Sequence, residues 1–287
     1  MSNLTIVMYH YVRPIKESKF PGIKGLELEG FKRQLDYLSE NFSIVSTEEV
    51  INATKYAAPL PSDACWLTFD DGYKDHFEHV MPELLKRNLH GAFFPPRVAI
   101  EEDKVLVVNL IHHILSCADN VGKLVSSLNS HCIVHGISER ELNDFYDKYA
   151  IPNRFYNADT IYVKRMLQHV LPEQLRTRIA HEMFQEFVGL SAAEFSSELY
   201  MSVEEVRELV RNGMYVGSHG SMHYWLDKIT AEEQEIDIKQ SLKFLDSIGA
   251  STKDWVMCYP YGAYNYDTIE LLKSFNAALG ITTEVRV

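Results

Sequence analysis

Cysteine is scarce and unpaired in this 287-residue sequence, which has four cysteines and no Cys-x-x-Cys pair. A disulfide framework is therefore not required, and a reducing compartment is favoured. No apolar stretch approaches the roughly 18–20 residues of a membrane span. The first residues also lack a basic segment followed by a long apolar one. These absences predict a protein without a transmembrane segment and with a cytoplasmic location.

Positive charge is also in short supply. The sequence has 28 lysine and arginine residues against 40 aspartate and glutamate residues, for a formal net charge of -12. A nucleic-acid-binding surface needs a basic stripe, so this balance argues against a nucleic-acid partner. Gly-rich phosphate loops and a Ser-His-Asp nucleophile arrangement are absent as well. The 46% hydrophobic content is that of an ordinary globular protein with ample material for a core.

Strand-like and helix-like segments alternate at both ends of the chain. Strands are predicted at 4–9, 42–45, 64–70, 90–94, 214–216, 255–259 and 277–281. Capping boxes at Ser46, Ser202 and Thr230 mark the starts of helices between them. The alternation predicts a parallel sheet, and about seven strands favour an α/β fold of the distorted (β/α) barrel type. We predict that residues 1–96 and 200–287 form this barrel and that residues 97–199 form a mainly helical insertion.

Groups of chemically reactive side chains fall at the carboxyl ends of predicted strands. They are His10, Asp70-Asp71, His219 with His223, and Pro260-Tyr261-Gly262. In a parallel barrel those ends share one face, so residues distant in sequence converge. Two histidines and a carboxylate are a common ligand set for catalytic zinc or a similar divalent metal. Alone, Asp-Asp-Gly is more often a solvated turn and His-x-x-x-His a structural pair, but their combination favours a metal site.

These segments resemble the motifs of the polysaccharide deacetylase family, the chitin and peptidoglycan deacetylase-like carbohydrate esterases. The first motif is matched by Thr-Phe-Asp-Asp-Gly at 68–72 and the second by Gly-Ser-His-Gly-Ser-Met-His at 217–223. The segment 259–265 is similar to the third motif, although its Pro-Tyr-Gly is weak evidence alone. The resemblance covers about residues 1–96 and 200–283 and does not explain the insertion.

The resemblance implies a metal-dependent hydrolase that removes an N-acyl group, expected to be N-acetyl, from a sugar. Asp71, His219 and His223 would hold the metal, with zinc as the first expectation and cobalt, nickel, manganese and iron as alternatives. Asp70 would be the general base that activates the attacking water. A backbone N–H near Tyr261 would add to the stabilisation of the oxyanion.

The sequence departs from the family pattern in two places. Relatives usually have an arginine just before the Pro-Tyr-Gly segment that pairs with the base, whereas Cys258 and Tyr259 occupy that neighbourhood here. Many relatives end in a strand carrying a general-acid histidine, whereas no histidine follows His223. Because the strand at 6–9 closes on His10, we interpret the chain as a circularly permuted member. His10 would then protonate the leaving amine; the alternative is a structural histidine at a strand end.

Aromatic residues beside the second and third motifs, Tyr224, Trp225 and Tyr261, are assigned to substrate binding, with a core role as the alternative for the first two. The expected partner is an N-acylated sugar or oligosaccharide, and O-antigen or capsule assembly is the predicted setting. A homo-oligomer is left open. Two other hypotheses remain. The same chemistry could hydrolyse a non-sugar amide or cyclic imide, or the chain could be a non-catalytic binding protein on a retired deacetylase scaffold.

Overall fold

The computed structural model describes residues 3–284; residues 1–2 and 285–287, which the domain prediction included, lie outside this range. The strands described are β1 (Asn3–Tyr9), β2 (Val12–Arg13), β3 (Leu26–Glu27), β4 (Ser43–Ile44), β5 (Asp63–Asp70), β6 (Ala92–Phe94), β7 (Tyr215–Val216), β8 (Val256–Cys258) and β9 (Leu279–Ile281). The seven predicted strands are present as β1 and β4 to β9, whereas β2 and β3 were not predicted.

Helices make up most of the remaining chain. They are α1 (Leu28–Asn41), α2 (Thr47–Tyr56), α3 (Met81–Lys86), α4 (Arg97–Glu101), α5 (Val107–Cys117), α6 (Val121–Val134), α7 (Glu139–Tyr149), α8 (Ala158–Arg165), α9 (Glu173–Val188), α10 (Ala192–Leu199), α11 (Val203–Arg211), α12 (Ala231–Ser247) and α13 (Tyr266–Ser274). A π-helical turn, His76–Val80, precedes α3, and another, Met166–Val170, follows α8. The predicted capping boxes are present at the starts of α2, α11 and α12.

Strand β5 lies at the centre of a parallel sheet. It pairs with β1 from Asn3 opposite Asp63 to Tyr9 opposite Phe69. Its carboxyl end pairs with β6 and its amino-terminal part with β4, and β7 follows β6. Seven of the eight β5 residues are buried, as expected for a strand of a parallel sheet that is covered on both faces.

An isolated bridge continues this row of strands from β7 toward β8. The Ser218 N–H donates to the Val256 carbonyl at 3.0 Å, and the Cys258 N–H donates to the Ser218 carbonyl at 2.8 Å. Strand β8 pairs in parallel with β9. Within residues 3–284 no ladder joins β9 to β1. An α/β fold with a parallel sheet is therefore confirmed, and closure of a barrel stays a prediction.

Alternation along β5 gives the sheet two different buried faces. Trp66 lies on the inner face and packs with Phe94 and Cys258 in one apolar cluster. Phe69 lies on the opposite face and stacks on Tyr9 of β1 and on a phenylalanine of β6. Because side chains alternate along a strand, Asp70 shares the inner face with Trp66. The last residue of β5 therefore lies above the inner cluster.

Two compact units divide the chain. The first comprises residues 3–14, 25–104 and 197–284 and contains every described strand. The second comprises residues 15–24 and 105–196 and is helical. In the second unit, Phe20 contacts His113 and Phe195 with ring-centroid distances of 4.9 and 5.5 Å. None of the described helices combines the length and apolarity needed to cross a bilayer.

Candidate active site

The two aspartates lie at the carboxyl end of β5, where the backbone turns sharply. Asp71 and Gly72 have φ values of 72° and 70°, in the left-handed region, and the Asp71 N–H donates to the Phe94 carbonyl at 3.2 Å. A Cβ on Gly72 would lie 2.8 Å from the Cβ of Pro95, so both the φ value and the space require glycine. This turn brings two successive carboxylates, Asp70 and Asp71, into one pocket.

The structure brings Asp71, His219 and His223 together. Nε2 of His219 lies 3.4 Å from Oδ1 of Asp71, and Nε2 of His223 lies 3.3 Å from the same oxygen. All three side chains are buried. Two ligands of a tetrahedral ion, each about 2.0–2.1 Å from it, lie about 3.3 Å apart. The observed distances therefore match the spacing of ligands around one such ion.

The hydrogen bonding of His219 also fits a cation at this position. Its Nδ1 lies 2.7 Å from the carbonyl oxygen of Cys258, an acceptor, so Nδ1 carries the proton. Nε2 of the neutral ring then directs a lone pair at the Asp71 carboxylate, an arrangement that a cation satisfies. Burial alone would lower the pKa of His219, but the carboxylates of Asp71 and Asp70 raise it overall. Positive charge is therefore favoured between the two side chains.

Tyr73 holds the other oxygen of Asp71, because its hydroxyl donates to Oδ2 at 2.5 Å. Burial, followed by the negative charge of Asp71, raises the pKa of Tyr73 well above its usual value, so the phenol keeps its proton. Burial also acts to raise the pKa of Asp71, but its interactions with the facing imidazoles of His219 and His223 hold it well below its usual value. Asp71 is therefore an anion whose Oδ1 faces the two imidazoles.

Asp70 lies beside these three residues and is held by Cys258. The thiol donates to Oδ1 of Asp70 at 3.5 Å, and both side chains are buried. Burial raises the pKa of Asp70, and the nearby imidazoles of His219 and His10 oppose that rise. Burial, with the charge of Asp70, raises the pKa of Cys258 well above its usual value, so it remains a thiol. His10 is half-buried after β1, and its imidazole acts electrostatically on Asp70 and Asp71.

Helix α12 anchors the loop that carries the two histidines. The carboxylate of buried Asp237 accepts two backbone N–H groups, Oδ2 from Ser221 and Oδ1 from Met222, each at 2.8 Å. His223, the next residue, has a φ of 58°, which is uncommon for a side chain of this size. The two hydrogen bonds hold the backbone between His219 and His223, and thereby fix where both imidazoles point.

Tyr261 and Trp225 form a stacked pair next to His223. Their ring centroids are 4.2 Å apart and their planes differ by 6°, and the Tyr261 ring meets the His223 ring edge-on at 4.7 Å. Tyr261 has a φ of 59°, so a left-handed backbone position directs this ring. Tyr224, directly before Trp225 in the sequence, is half-buried, and its assignment to substrate binding stays a prediction.

Three contributions to the site were not predicted. Tyr73 directly follows the first motif, so proximity alone was a signal for it. Cys258 was noted at the place of the missing arginine, but nothing in the sequence indicated that its thiol meets Asp70. Asp237 holds backbone groups 15 and 16 residues away, and its position on an ordinary amphipathic helix gave no signal.

Comparison with known proteins gives matches at the level of sequence. A family model described as "Polysaccharide deacetylase" matches residues 139–280, which include His219, His223 and Tyr261 but not the two aspartates. The Bacillus subtilis (strain 168) protein YxkH, whose name is that of a polysaccharide deacetylase, is 26% identical over 85 residues. That match spans 30% of this chain and 30% of the length of YxkH.

Solved structures show the same fold over nearly the whole chain. The Streptococcus pyogenes deacetylase PplD in complex with acetate is 17% identical, with a TM-score of 0.57 over 98% of this chain and 83% of PplD. A de-N-acetylase from Aggregatibacter actinomycetemcomitans is 17% identical, with a TM-score of 0.53 over 97% of this chain and 87% of that one. The polysaccharide deacetylase family model thus matches a segment of just under half of the chain, and the solved deacetylases share the fold of nearly all of it.

Proposed function

We propose that the protein is a metal-dependent hydrolase that removes an N-acyl group from a sugar or oligosaccharide. The observation that carries the proposal is the approach of His219 and His223 to Oδ1 of Asp71 at 3.4 and 3.3 Å. The match of residues 139–280 to the polysaccharide deacetylase family model supports a carbohydrate substrate. An N-acetyl group is proposed because one similar structure is a deacetylase with acetate and another is a de-N-acetylase.

Each residue of the pocket has a separate task in this proposal. An ion held by Asp71, His219 and His223 would polarise the acyl carbonyl and lower the pKa of water; zinc is the first candidate, with cobalt, nickel, manganese and iron as alternatives. Asp70 accepts the proton of the attacking water. The Cys258 thiol holds Oδ1 of Asp70, which leaves Oδ2 to take that proton.

His10 is proposed as the general acid that protonates the leaving amine. It follows β1, and β1 pairs with the strand that carries Asp70. The carbonyl oxygen of His10 accepts a hydrogen bond from Nε2 of His76 at 3.0 Å, which fixes the end of the strand. A circularly permuted chain requires this adjacency between the first strand and the aspartate strand, so the pairing supports the permutation hypothesis.

The stacked pair of Trp225 and Tyr261 is proposed to bind the sugar ring. Both side chains are half-buried, and Tyr261 contacts His223. A sugar placed against these rings would lie next to the proposed ion. The remaining aromatic candidate, Tyr224, is proposed to extend this surface.

Asp70→Asn tests the division of tasks. We expect turnover of N-acetylglucosamine oligomers, measured as acetate and free amine released, to fall by about 10²–10⁴-fold because the general base is lost. Metal content should remain one ion per chain, because the ligands are untouched. Glu235→Gln, a change on the exposed surface of α12, is the control and should behave as the unmodified protein. Unchanged turnover in Asp70→Asn would remove Asp70 from the mechanism.

The same assay separates the alternatives. Ring opening of cyclic imides, measured as the carboxylate formed, or amine release from non-sugar amides, in either case without hydrolysis of N-acetylated sugars, would change the substrate class and keep the chemistry. Sugar binding without any turnover in the metal-loaded protein would favour a non-catalytic binding protein. The setting in O-antigen or capsule assembly, the cytoplasmic location and a homo-oligomer stay predictions.

A further inference from the structure

Cys258 belongs to a second group of metal-ligating side chains, which shares His219 with the first. Asp70, His219 and Cys258 each present one ligand atom, and the three atoms lie within 4.8 Å of one another. All three side chains are buried. The pocket therefore contains two overlapping ligand sets, one with oxygen and nitrogen donors and one that adds a sulfur.

Sγ of Cys258 lies 3.5 Å from Oδ1 of Asp70, a distance that fits either a hydrogen bond or two ligands of one metal ion. With the thiol protonated, it is the length of an S–H···O hydrogen bond. Two ligands of a tetrahedral ion, with sulfur at about 2.3 Å and oxygen at about 2.0 Å, also lie about 3.5 Å apart. The two atoms therefore need no rearrangement to become ligands of one cation.

We propose that Asp70, Cys258 and His219 form an inhibitory site for soft divalent cations, of which Cd²⁺ is the probe. Bonds from sulfur, carboxylate oxygen and imidazole nitrogen to the cation form, and the thiol proton passes to solvent. Thiolate ligands select soft cations, and the set around Asp71 has no sulfur. The proposal rests on the proposed function, because hydrolysis stops when Asp70 is a ligand and cannot accept a proton.

The two ligand sets share one histidine, His219. Nδ1 of His219 is engaged by the carbonyl of Cys258 at 2.7 Å, so Nε2 is the atom left for a cation. That atom faces Asp71 at 3.4 Å. A soft cation held by Asp70 and Cys258 therefore withdraws His219 from the other set. Inhibition should accordingly be competitive with the activating metal.

The test is a titration with Cd²⁺ of the 287-residue protein loaded with one equivalent of Co²⁺. We expect a thiolate-to-cadmium charge-transfer band in the ultraviolet, loss of the visible Co²⁺ spectrum and loss of hydrolysis, all reversed by excess Co²⁺. Cys258→Ser should show no band, and its half-inhibiting Cd²⁺ concentration should rise about 10- to 100-fold. Cys117→Ser, a change at a half-buried cysteine of the helical unit, is the matched control and should titrate like the unmodified protein.

Two results would overturn the inference. One is a band that survives in Cys258→Ser, which would mean that another residue supplies the sulfur; the other is the absence of a band in the unmodified protein, with or without displacement of Co²⁺. If Cys258→Ser does not fold, cadmium NMR of the unmodified protein reports sulfur ligation without a variant. The band and the Co²⁺ spectrum do not depend on turnover, so a failure of the proposed hydrolase activity is distinguished from a failure of this site.

Discussion

A buried thiol, rather than a cation, holds the carboxylate that is proposed as the base. Cys258→Ala removes the hydrogen bond to Asp70 but keeps the backbone carbonyl that binds His219. We therefore expect kcat to fall by about 10- to 100-fold, with KM and metal affinity close to their original values. Cys258→Ser should recover part of the loss, because a hydroxyl also donates. Steady-state kinetics would contradict this role if the change fell on KM alone, or if serine were no better than alanine.

A second buried residue, His76, makes the stability of the protein depend on pH. Its Nε2 donates to the His10 carbonyl, its Nδ1 is buried without a partner among the described residues, and burial lowers its pKa from 6.5 to about 4. Between pH 6.5 and pH 4, His76 therefore binds a proton in the unfolded chain but stays neutral in the folded chain. The free energy of unfolding therefore decreases as the pH falls from 6.5 toward 4. The loss due to His76 is about 2 kcal/mol at pH 5.

Urea unfolding of the unmodified protein and of His76→Gln at pH 7 and pH 5 measures this effect. Glutamine keeps an N–H donor for the His10 carbonyl and does not titrate. We expect the unmodified protein to lose about 2 kcal/mol more than the variant between the two pH values. Equal losses in the two proteins would show that another group is responsible.

Among the elements, α12 sets the geometry of the histidine loop without contacting the proposed ion. Asp237→Ala leaves the N–H groups of Ser221 and Met222 without their acceptor. We expect metal affinity to fall by about 10- to 100-fold, as is usual when a supporting partner of a ligand is removed. Turnover at saturating metal should fall less.

Isothermal titration with Zn²⁺ against a competing chelator measures the affinity. Glu235→Ala, on the exposed side of the same helix, controls for general effects on α12. An unchanged affinity in Asp237→Ala would mean that the loop keeps its shape without this anchor.

Strands and helices with a long hydrophobic pattern could be predicted from the sequence, whereas contacts between residues far apart in the chain could not. Strand β5 and the helices with capping boxes carry their periodicity and end signals in the sequence. Strands β2 and β3 each contain one apolar residue, whereas β4 and β7, which are equally short, lie within the longer strand-like runs at 42–45 and 214–216. The motif segments revealed which residues would converge, because strand ends share one face. The contact of Cys258 with Asp70 spans 188 residues and depends on how β8 lies against β5, which no local pattern encodes.

For the whole molecule, the residues proposed to hold the metal all lie in the first unit, and the helical unit has a core of its own. Phe20, which lies in a short segment between β2 and β3, belongs to the core of the helical unit, a membership that its place in the sequence did not indicate. Phe20→Ala is expected to destabilise that unit by about 3 kcal/mol. Metal stoichiometry should remain one, because Asp71, His219 and His223 all lie in the other unit.

Denaturant unfolding followed by circular dichroism, with metal content measured in parallel, tests this separation. Phe155→Ala, at a side chain that is 63% exposed in the same unit, is the matched control and should change stability little. A loss of bound metal from folded Phe20→Ala would show that the two units are coupled.

The reversal of the backbone at Asp71 has a consequence for any attempt to redesign the pocket. Asp70 and Asp71 are neighbours in the chain but reach the pocket from different directions. Asp70 contacts the thiol of Cys258, and Asp71 contacts the hydroxyl of Tyr73. Neither carboxylate can take the position of the other, because exchanging them would require the backbone to run through the turn in the opposite direction. Changes elsewhere in the pocket could therefore alter the proposed sugar, acyl group or ion, whereas the roles proposed for Asp70 as base and Asp71 as metal ligand depend on the direction of the backbone at this one turn.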